Sequence, residues 1–427
     1  VLSLDSLAVP SIGIAHREED SPFAYGIFVY APFGAGLEHP DANDPYRFLG
    51  QRLWIVRIVA APTVSYRITK SLSIGTSFGI GTARMGFNTR MRAPNDLVAM
   101  TGSVGEATKD LEIPIVSELT LPPPWFGGGL SPYEDIGGLE FYAEDNLNTS
   151  VNAGLLWEPV SWFSFGAVYQ SKSEAVLKGH YEFDFSDRLQ KTLNWFGSSP
   201  VTIILASILD IPTSCPPTVT GAMSTKVVFP ARAQFGVKLQ PVRQIKFLVD
   251  AHWNKWSDWK TIELKFDRDI ELLRLAKLLG YSGGNRTLVL QNNFKDTWHL
   301  SYGLELQPFD PIILRLGYEK RPTSISDDHY GVIPLPDMEL YSGGLGFQFK
   351  PDRNFKGAWG FVKQVLQPNT ADLGFTYLTA KTKVNFNQSV LFNSTDFTKV
   401  IYNPFAGLEC EQKVTAYIFS LGASWSW

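Results

Sequence analysis

The stretch Lys295-Asp296-Thr297-Trp298-His299-Leu300-Ser301-Tyr302-Gly303-Leu304-Glu305-Leu306-Gln307 alternates without a break. Thr297, His299, Ser301, Gly303 and Glu305 share one face, and Trp298, Leu300, Tyr302, Leu304 and Leu306 share the other. A period of two held for about ten residues is a β-strand with one polar and one apolar side. After the tight turn Pro308-Phe309-Asp310-Pro311 the pattern returns, with Ile312, Leu314, Leu316 and Tyr318 opposite Arg315, Gly317 and Glu319. A soluble β-sandwich would put charged or polar residues on its outer face. Here that face is Trp, Leu, Tyr, Phe and Val strand after strand, as expected of a wall with lipid outside and a polar interior.

The same hairpin unit recurs outward from this point. Residues 147–157 and 162–181 flank Glu158-Pro159-Val160, and 226–239 and 245–265 flank Gln240-Pro241-Val242-Arg243. A further pair, 53–66 and 72–87, flanks Arg67-Ile68-Thr69-Lys70, and single strands are predicted at about 7–16, 23–34, 338–350, 370–388 and 413–427. Short turns alternate with long connections at 35–51, 91–142, 186–223, 267–294, 321–337 and 389–412. In outer-membrane barrels the short turns are periplasmic and the long loops extracellular. The predicted fold class is therefore all-β, one transmembrane antiparallel β-barrel over residues 1–427, with long loops at 91–142, 186–223 and 267–294. The chain ends on Ala423-Ser424-Trp425-Ser426-Trp427, a last strand closing on an aromatic residue at the periplasmic side. Thirteen strands would put the first residue outside the cell, whereas single-chain bacterial barrels usually have an even count. The expectation is 14 strands in the full protein, with one strand and whatever preceded it missing before Val1.

Composition agrees. Phe, Tyr and Trp make 13% of 427 residues, and such rings favour strands and membrane–water interfaces. A net charge of −4 gives no reason to expect a nucleic-acid partner. No run of 18 apolar residues exists; the longest candidate, 201–209, contains Thr202 and Ser207. No signal peptide is visible, but an exported protein loses it, so this does not argue for the cytoplasm, and the expected location is the bacterial outer membrane. No Gly-x-Ser-x-Gly elbow, His-Glu-x-x-His or phosphate-binding loop occurs, and His16, His39, His180, His252, His299 and His329 lack metal-ligand spacing. The expectation is no enzyme, no cofactor and no metal; a lipase would need a Ser and a His from distant strands. Gly79-Ile80-Gly81 lies inside a strand, where glycine marks lumen space or a kink.

By alternation Arg232, Lys238, Lys246, Asp250, His252, Lys295, His299, Glu305, Arg315 and Glu319 point inward. Barrel interiors are polar in any case, and most such groups pair across the lumen; Lys295, His299 and Arg315 are the candidates for ligand contact. The loops carry apolar side chains where water is expected. Residues 188–217 include Trp195, Phe196, Ile204 and Leu205, and 121–130 includes Trp125 and Phe126. Apolar surface of this extent marks a binding site; the plainer alternative is that the two loops pack on each other as a cap. Residues 268–280 read as an amphipathic helix closed by Gly280, with a second such piece at 354–367. Cys215 and Cys410 both fall in extracellular loops, which allows one disulfide.

Phe294-Lys295-Asp296-Thr297-Trp298, Leu314-Arg315-Leu316-Gly317-Tyr318, Arg321-Pro322 and Ile333-Pro334-Leu335-Pro336-Asp337 resemble the FadL/TodX family of outer-membrane channels. Phe229-Pro230 and Trp253-Asn254-Lys255-Trp256-Ser257-Asp258-Trp259 are similar to it as well, so the resemblance covers nearly the whole chain in strand order. That family carries long-chain fatty acids and aromatic hydrocarbons through a fourteen-stranded barrel plugged by an N-terminal hatch. The resemblance implies that the hatch and first strand are what this sequence lacks. It also implies that residues 23–38 are an inwardly kinked strand opening the wall sideways, with Gly34 and Gly36 allowing the distortion. An apolar groove is implied between loops 91–142 and 186–223, and a deeper site where Lys295 and Arg84 would hold a carboxylate.

The leading expectation is passive uptake of hydrophobic molecules, most of all fatty acids, by loop capture, internal binding and lateral release. Outer-membrane lipid and lipopolysaccharide are expected neighbours. The alternative is a structural barrel subunit or anchor that meets protein partners through its loops or the 351–369 segment; a water-filled porin fits the apolar loops less well.

Overall fold

The computed structural model describes residues 11–38, 50–111, 121–278, 281–292, 294–325, 336–349, 368–385 and 409–425, together with residues 9, 43, 47 and 48. Nine strands run unbroken: β1 Ile12–His16, β2 Phe23–Glu38, β3 Arg52–Arg67, β4 Leu72–Met91, β5 Gly137–Val160, β14 Ile312–Arg321, β15 Met338–Gln348, β16 Thr370–Asn385 and β17 Glu409–Ser424. The other eight are halves of interrupted strands. They are β6 Phe163–Gln170 with β7 Ser173–Phe185, β8 Thr218–Phe229 with β9 Arg232–Val242, β10 Ile245–Asn254 with β11 Thr261–Phe266, and β12 Thr287–Gln291 with β13 Thr297–Phe309. Counted as continuous staves, the described wall has the thirteen strands that the alternation predicts. Every neighbouring pair is antiparallel, from β1–β2 to β16–β17.

The faces sort as the pattern requires. Trp298, Leu300, Tyr302 and Leu316 are exposed, while His299 and Glu305 turn to the inside and are largely covered. Aromatic residues Tyr66, Trp157, Trp162 and Phe309 gather at the end bearing the short turns. On the outer face of β4 the sequence Ile74, Phe78, Ile80 gives way to Arg84, which marks the upper limit of the apolar band.

The turns lie slightly beyond their predicted places, because the strands continue through their X-Pro pairs as bulges. Glu158-Pro159, Gln240-Pro241 and Gln307-Pro308 each face a single residue of the partner strand. Proline has no N–H to give to a ladder, so the extra residue is cheapest there.

The interrupted strands break at one level, at residues 171–172, 230–231, 255–260 and 292–296. Above the breaks, β7, β8, β11 and β12 continue the wall and carry the loops. Helix α1 (Asp96–Ala107) is capped by Asn95, α2 (Asp187–Trp195) by Ser186, and α3 (Pro200–Leu209) by a Ser199–Thr202 capping box with proline in its first turn. The predicted loop helix is present as α4 (Glu271–Leu278); Gly280 and the second piece at 354–367 lie outside the described residues. The loops are shorter than predicted, because β5 starts at Gly137, β8 starts at Thr218 and β12 occupies 287–291. Among the described residues no single helix is long and apolar enough to cross a membrane; α2 and α3 together have the length but are bent by 102°.

Candidate functional site

Most of the lumen-facing charges neutralise one another along the wall. Glu305 accepts from Lys246 at 2.5 Å and from Arg315 at 2.8 Å, and Arg315 continues to Asp372 at 2.5 Å. This row ties β10, β13, β14 and β16 together. Beside it Glu319 receives His299 at 2.9 Å and Arg321 at 2.6 Å, and the His299 ring stacks on His252 at 4.7 Å. Lys238 reaches Glu158 at 3.8 Å. A partly solvated interior accommodates such pairs at modest net energy, about 1 kcal/mol or less each.

Two cations depart from this rule. Arg57 on β3 is 1% exposed, and among the described residues it meets no carboxylate. Its guanidinium bonds Asn148 Oδ1 at 2.6 Å and Ser150 Oγ at 3.1 Å on β5, and lies 5.3 Å from the Phe229 ring. To get there it crosses β4 where the inner face carries Gly79 and Gly81. A Cβ at Gly81 would sit 3.1 Å from Asn148 Oδ1, and one at Gly79 would sit 2.5 Å from Ser150 Oγ. One nitrogen, Arg57 Nη1, is buried without a hydrogen-bond partner. Arg232, on β9, donates to the Pro32 carbonyl at 2.7 Å and also forms no ion pair among the described residues. The two guanidinium groups and the Tyr30 hydroxyl lie within electrostatic range of each other. Burying a cation unpaired is expensive, so the cluster is a ready receptor for an anion.

The strand that brings Pro32 to Arg232 is distorted. In β2 the ladder to β3 passes from Tyr30 opposite Val59 to Phe33 opposite Arg57, leaving Ala31-Pro32 against one residue. The bulge drives Phe33 into the interior, where its ring meets Phe229 at 5.4 Å, Trp259 at 5.8 Å and Trp256 at 6.3 Å. Phe229 ends β8, and Trp256 and Trp259 lie in the break between β10 and β11. β1 pairs only with Tyr25–Val29, so among the described residues β2 beyond Val29 has no neighbour on that side.

Above the breaks the two apolar loops pack together. Phe126 lies 5.1 Å from Trp195 and 6.1 Å from Phe196, Trp195 Nε1 donates to the Pro122 carbonyl at 2.6 Å, and Trp125 N–H donates to Thr108 Oγ1 at 2.9 Å. The end of α3 is tied down where Asp210 accepts from Arg274 at 2.9 Å and Lys277 at 3.5 Å. Beside Arg274 the Asp210 carboxyl is held below the usual carboxylate range. Ile203, Ile204 and Ile208 remain exposed on the same helix.

The model of the family described as outer membrane protein transport protein (OMPP1/FadL/TodX) matches residues 4–427. The chain belongs to the OMPP1/FadL/TodX family. Its fold is similar to that of a FadL homologue from Pseudomonas aeruginosa, with a TM-score of 0.66 at 16% identity over 98% of this chain and 78% of that one. The Ralstonia pickettii toluene transporter TbuX gives 0.54 at 15% identity, over 87% and 75% of the two chains. The P. putida toluene transporter TodX gives 0.54 at 13%, over 88% and 77%. A search of curated protein sequences gives no match. As a member of the OMPP1/FadL/TodX family the chain is a bacterial outer-membrane channel for hydrophobic compounds and not an enzyme.

Within this OMPP1/FadL/TodX barrel the predicted site residues scatter. Arg84 is a correction: it shares the outer face of β4 with Ile74, Phe78 and Ile80, is 55% exposed, and pairs with Glu144 at 3.4 Å, so it does not enter the lumen. Gly34 and Gly36 are a second correction, because both sit in regular register opposite Val56 and Trp54 while the distortion falls at Ala31-Pro32. His299 and Arg315 face inward but are held by carboxylates. Lys295 is exposed at the break before β13, and among the described residues its amine makes no ion pair. Trp195 and Phe196 are buried within the cap, Trp125, Phe126 and Leu205 are half-buried, and Ile204 is exposed. Cys215 is a buried free thiol with Sγ 3.6 Å from the Pro216 carbonyl, whereas the Cys410 side chain lies outside the described residues. Sequence reading missed Arg57, although it is the single charge inside 53–66, a run otherwise apolar or small.

Proposed function

We propose that this channel takes up long-chain fatty acids by passive diffusion. The molecule is captured on the exposed isoleucines of α3 and passes the ring cluster around Phe33. Its carboxylate then rests on Arg57 and Arg232, and it leaves sideways beside residues 30–38 of β2. The supporting observation is the pair of guanidinium groups beside the bulge that form no ion pair among the described residues. A carboxylate bonds a guanidinium in a charge-assisted, often bidentate geometry, whereas an aromatic hydrocarbon brings no charge to neutralise a buried cation. Lys295 is a secondary contact in the same proposal.

The test is binding of oleate and of toluene by the purified barrel, with Arg57→Met and Arg232→Met beside the unaltered chain. Hydrogen bonds to charged groups contribute about 1.5–3 kcal/mol, so each variant is expected to weaken oleate roughly 10-fold or more. Toluene binding should stay level. Unchanged oleate affinity in both variants would remove the fatty-acid assignment, and tight toluene binding alone would replace it with a hydrocarbon.

A further inference from the structure

The outer wall carries an apolar groove of about 680 Å³ that takes no part in the route through the lumen. It runs across β2, β3, β4, β5, β6 and β9, and its lining is almost wholly apolar. Its floor is small, with Ala153, Ala167 and Ala233, and its rim is large, with Tyr66, Leu155 and Phe235. These belong to the lipid-facing side: Tyr66, Leu155 and Phe235 are all exposed, Ala167 pairs with Leu155 and Phe235, and Ala153 and Ala233 pair with the exposed Tyr169. A barrel exterior is normally convex. Here the wall is dented because the paired inner positions Ser65 and Gly75, and Gly154 on β5, offer no bulk to hold it outward.

The groove has a direction. Tyr66 is next to the last residue of β3 at the short-turn end, Thr76 and Leu155 stand higher, and Phe235 is highest on β9. Tyr66, Ile74, Leu155, Ala167 and Phe235 lie in one register row, and crossing its four strand spacings of ~4.8 Å with strands tilted about 40° climbs ~12 Å along the membrane normal. Half of a ~30 Å hydrocarbon core is one leaflet, here the periplasmic one. At the low end the β3–β4 turn offers Arg67 and Lys70, which form no ion pair among the described residues. Arg67 N–H donates to the Pro22 carbonyl at 2.8 Å, which sets that turn against the one bearing Arg17, Glu18, Glu19 and Asp20. Both charge signs therefore meet where a headgroup would lie.

We propose that this groove is a fixed site for one phospholipid of the periplasmic leaflet. An acyl chain lies over the alanine floor, the headgroup phosphate faces Arg67 and Lys70, and a zwitterionic headgroup places its ammonium near the acidic turn. Three observations select this occupant: the groove is continuous with the membrane-facing surface, its height fits within one leaflet, and the charges at its lower end suit a zwitterion. A second copy of the chain would bring the same acidic and basic turns together with no apolar tail to fill the dent.

The barrel is reconstituted into vesicles of phosphatidylethanolamine and phosphatidylglycerol, released into mild detergent and weighed intact. We expect one phosphatidylethanolamine to survive detergent exchange on each folded barrel. Ala167→Trp, which fills the floor, should lower that retention at least 10-fold, and Ala233→Trp serves if the first variant misfolds. Oleate binding should be unchanged in both, which separates this site from the Arg57 and Arg232 site. No retained lipid on the unaltered barrel, equal retention in the filled variants, or a dimer that the filled variants abolish would overturn the proposal.

Discussion

Arg57 carries a buried charge that meets no acid among the described residues, and this has opposite consequences for stability and for binding. Replacing a poorly paired buried charge by an apolar side chain of similar volume is often neutral or stabilising. We therefore predict that Arg57→Met leaves the empty barrel at least as resistant to denaturant as before while losing fatty-acid affinity. A drop of several kcal/mol in the empty barrel would mean that the residue is structural. The partnered cation Arg315 should behave in the reverse way. It is 41% exposed beside Glu305 and Asp372, so Arg315→Met should cost about 1 kcal/mol in unfolding experiments and leave oleate binding alone. Cys215 gives a pH-dependent prediction in the cap. Burial, and then the nearby Glu271, push its thiol up to about 12. The thiolate fraction at pH 8 is then only ~10⁻⁴, so alkylation of the folded protein should be slower than of the unfolded chain by roughly three orders of magnitude. Because folding raises this pKa, the thiol's contribution to stability is complete below the ordinary thiol range and is lost as pH climbs through it toward 12. Fast labelling at pH 8 would show that the cap opens. Alternation in the sequence already turns His299, Glu305 and Arg315 inward, because each has unlike neighbours on both sides. It also puts Arg84 in one row with Ile74, Phe78 and Ile80, so that residue's outward position was legible and only the family resemblance argued against it. The meeting of Arg57 with Asn148 was not legible, since it depends on a bulge between Gly81 and Ala83 that resets the parity of β5.

Among the elements, β2 is the one whose irregularity serves the proposed release, and a proline permits it. X-Pro bulges occur at Glu158-Pro159, Gln240-Pro241 and Gln307-Pro308, all next to turns, and once in mid-strand at Ala31-Pro32. Pro62 on β3 keeps its register opposite Ile27, so proline permits a bulge without requiring one. Removing Ala31 and replacing Pro32 by Val restores both the residue count and the missing N–H. We predict a regular β2, loss of oleate transport into vesicles, and retention of a folded barrel by heat-modifiable mobility; transport at the original rate would dissociate the bulge from release. The strand and its neighbours are plain in the sequence, as is the α4 helix. The kink's position is not, because Gly34 and Gly36 offer the more familiar excuse for a bend, and a bulge depends on what the partner strand places opposite. The cap shows the same limit. Its aromatic residues are evident in the sequence, but Trp195 and Phe196 turn out to be its interior while Ile203, Ile204 and Ile208 form the free surface.

For the whole molecule the decisive property is that the wall has two solvents, and neighbouring residues of one strand meet different ones. Arg315 and Leu316 are adjacent in β14, yet Arg315 bonds Glu305 and Asp372 inside while Leu316 is 59% exposed on the outside. Leu316 lies a few residues above the short turn that begins β14 and opposite Leu304 in the ladder, at about the middle of the apolar band. A lysine on the lipid face of a barrel costs about 2–4 kcal/mol at the midplane and little near the interfaces. Leu316→Lys should therefore lower the folding stability of the barrel in vesicles by that amount. The same change at Val176 on β7, exposed above the strand breaks and close to Lys172 and Lys226, should be nearly neutral. The contrast depends on the membrane and not on packing, because both side chains stand free of the protein. It should accordingly shrink when the unfolding is measured in water-rich detergent micelles with thin apolar cores. Equal costs at the two positions would mean that the apolar band of the wall extends above the breaks. The cap would then sit within the headgroup layer instead of standing clear of it.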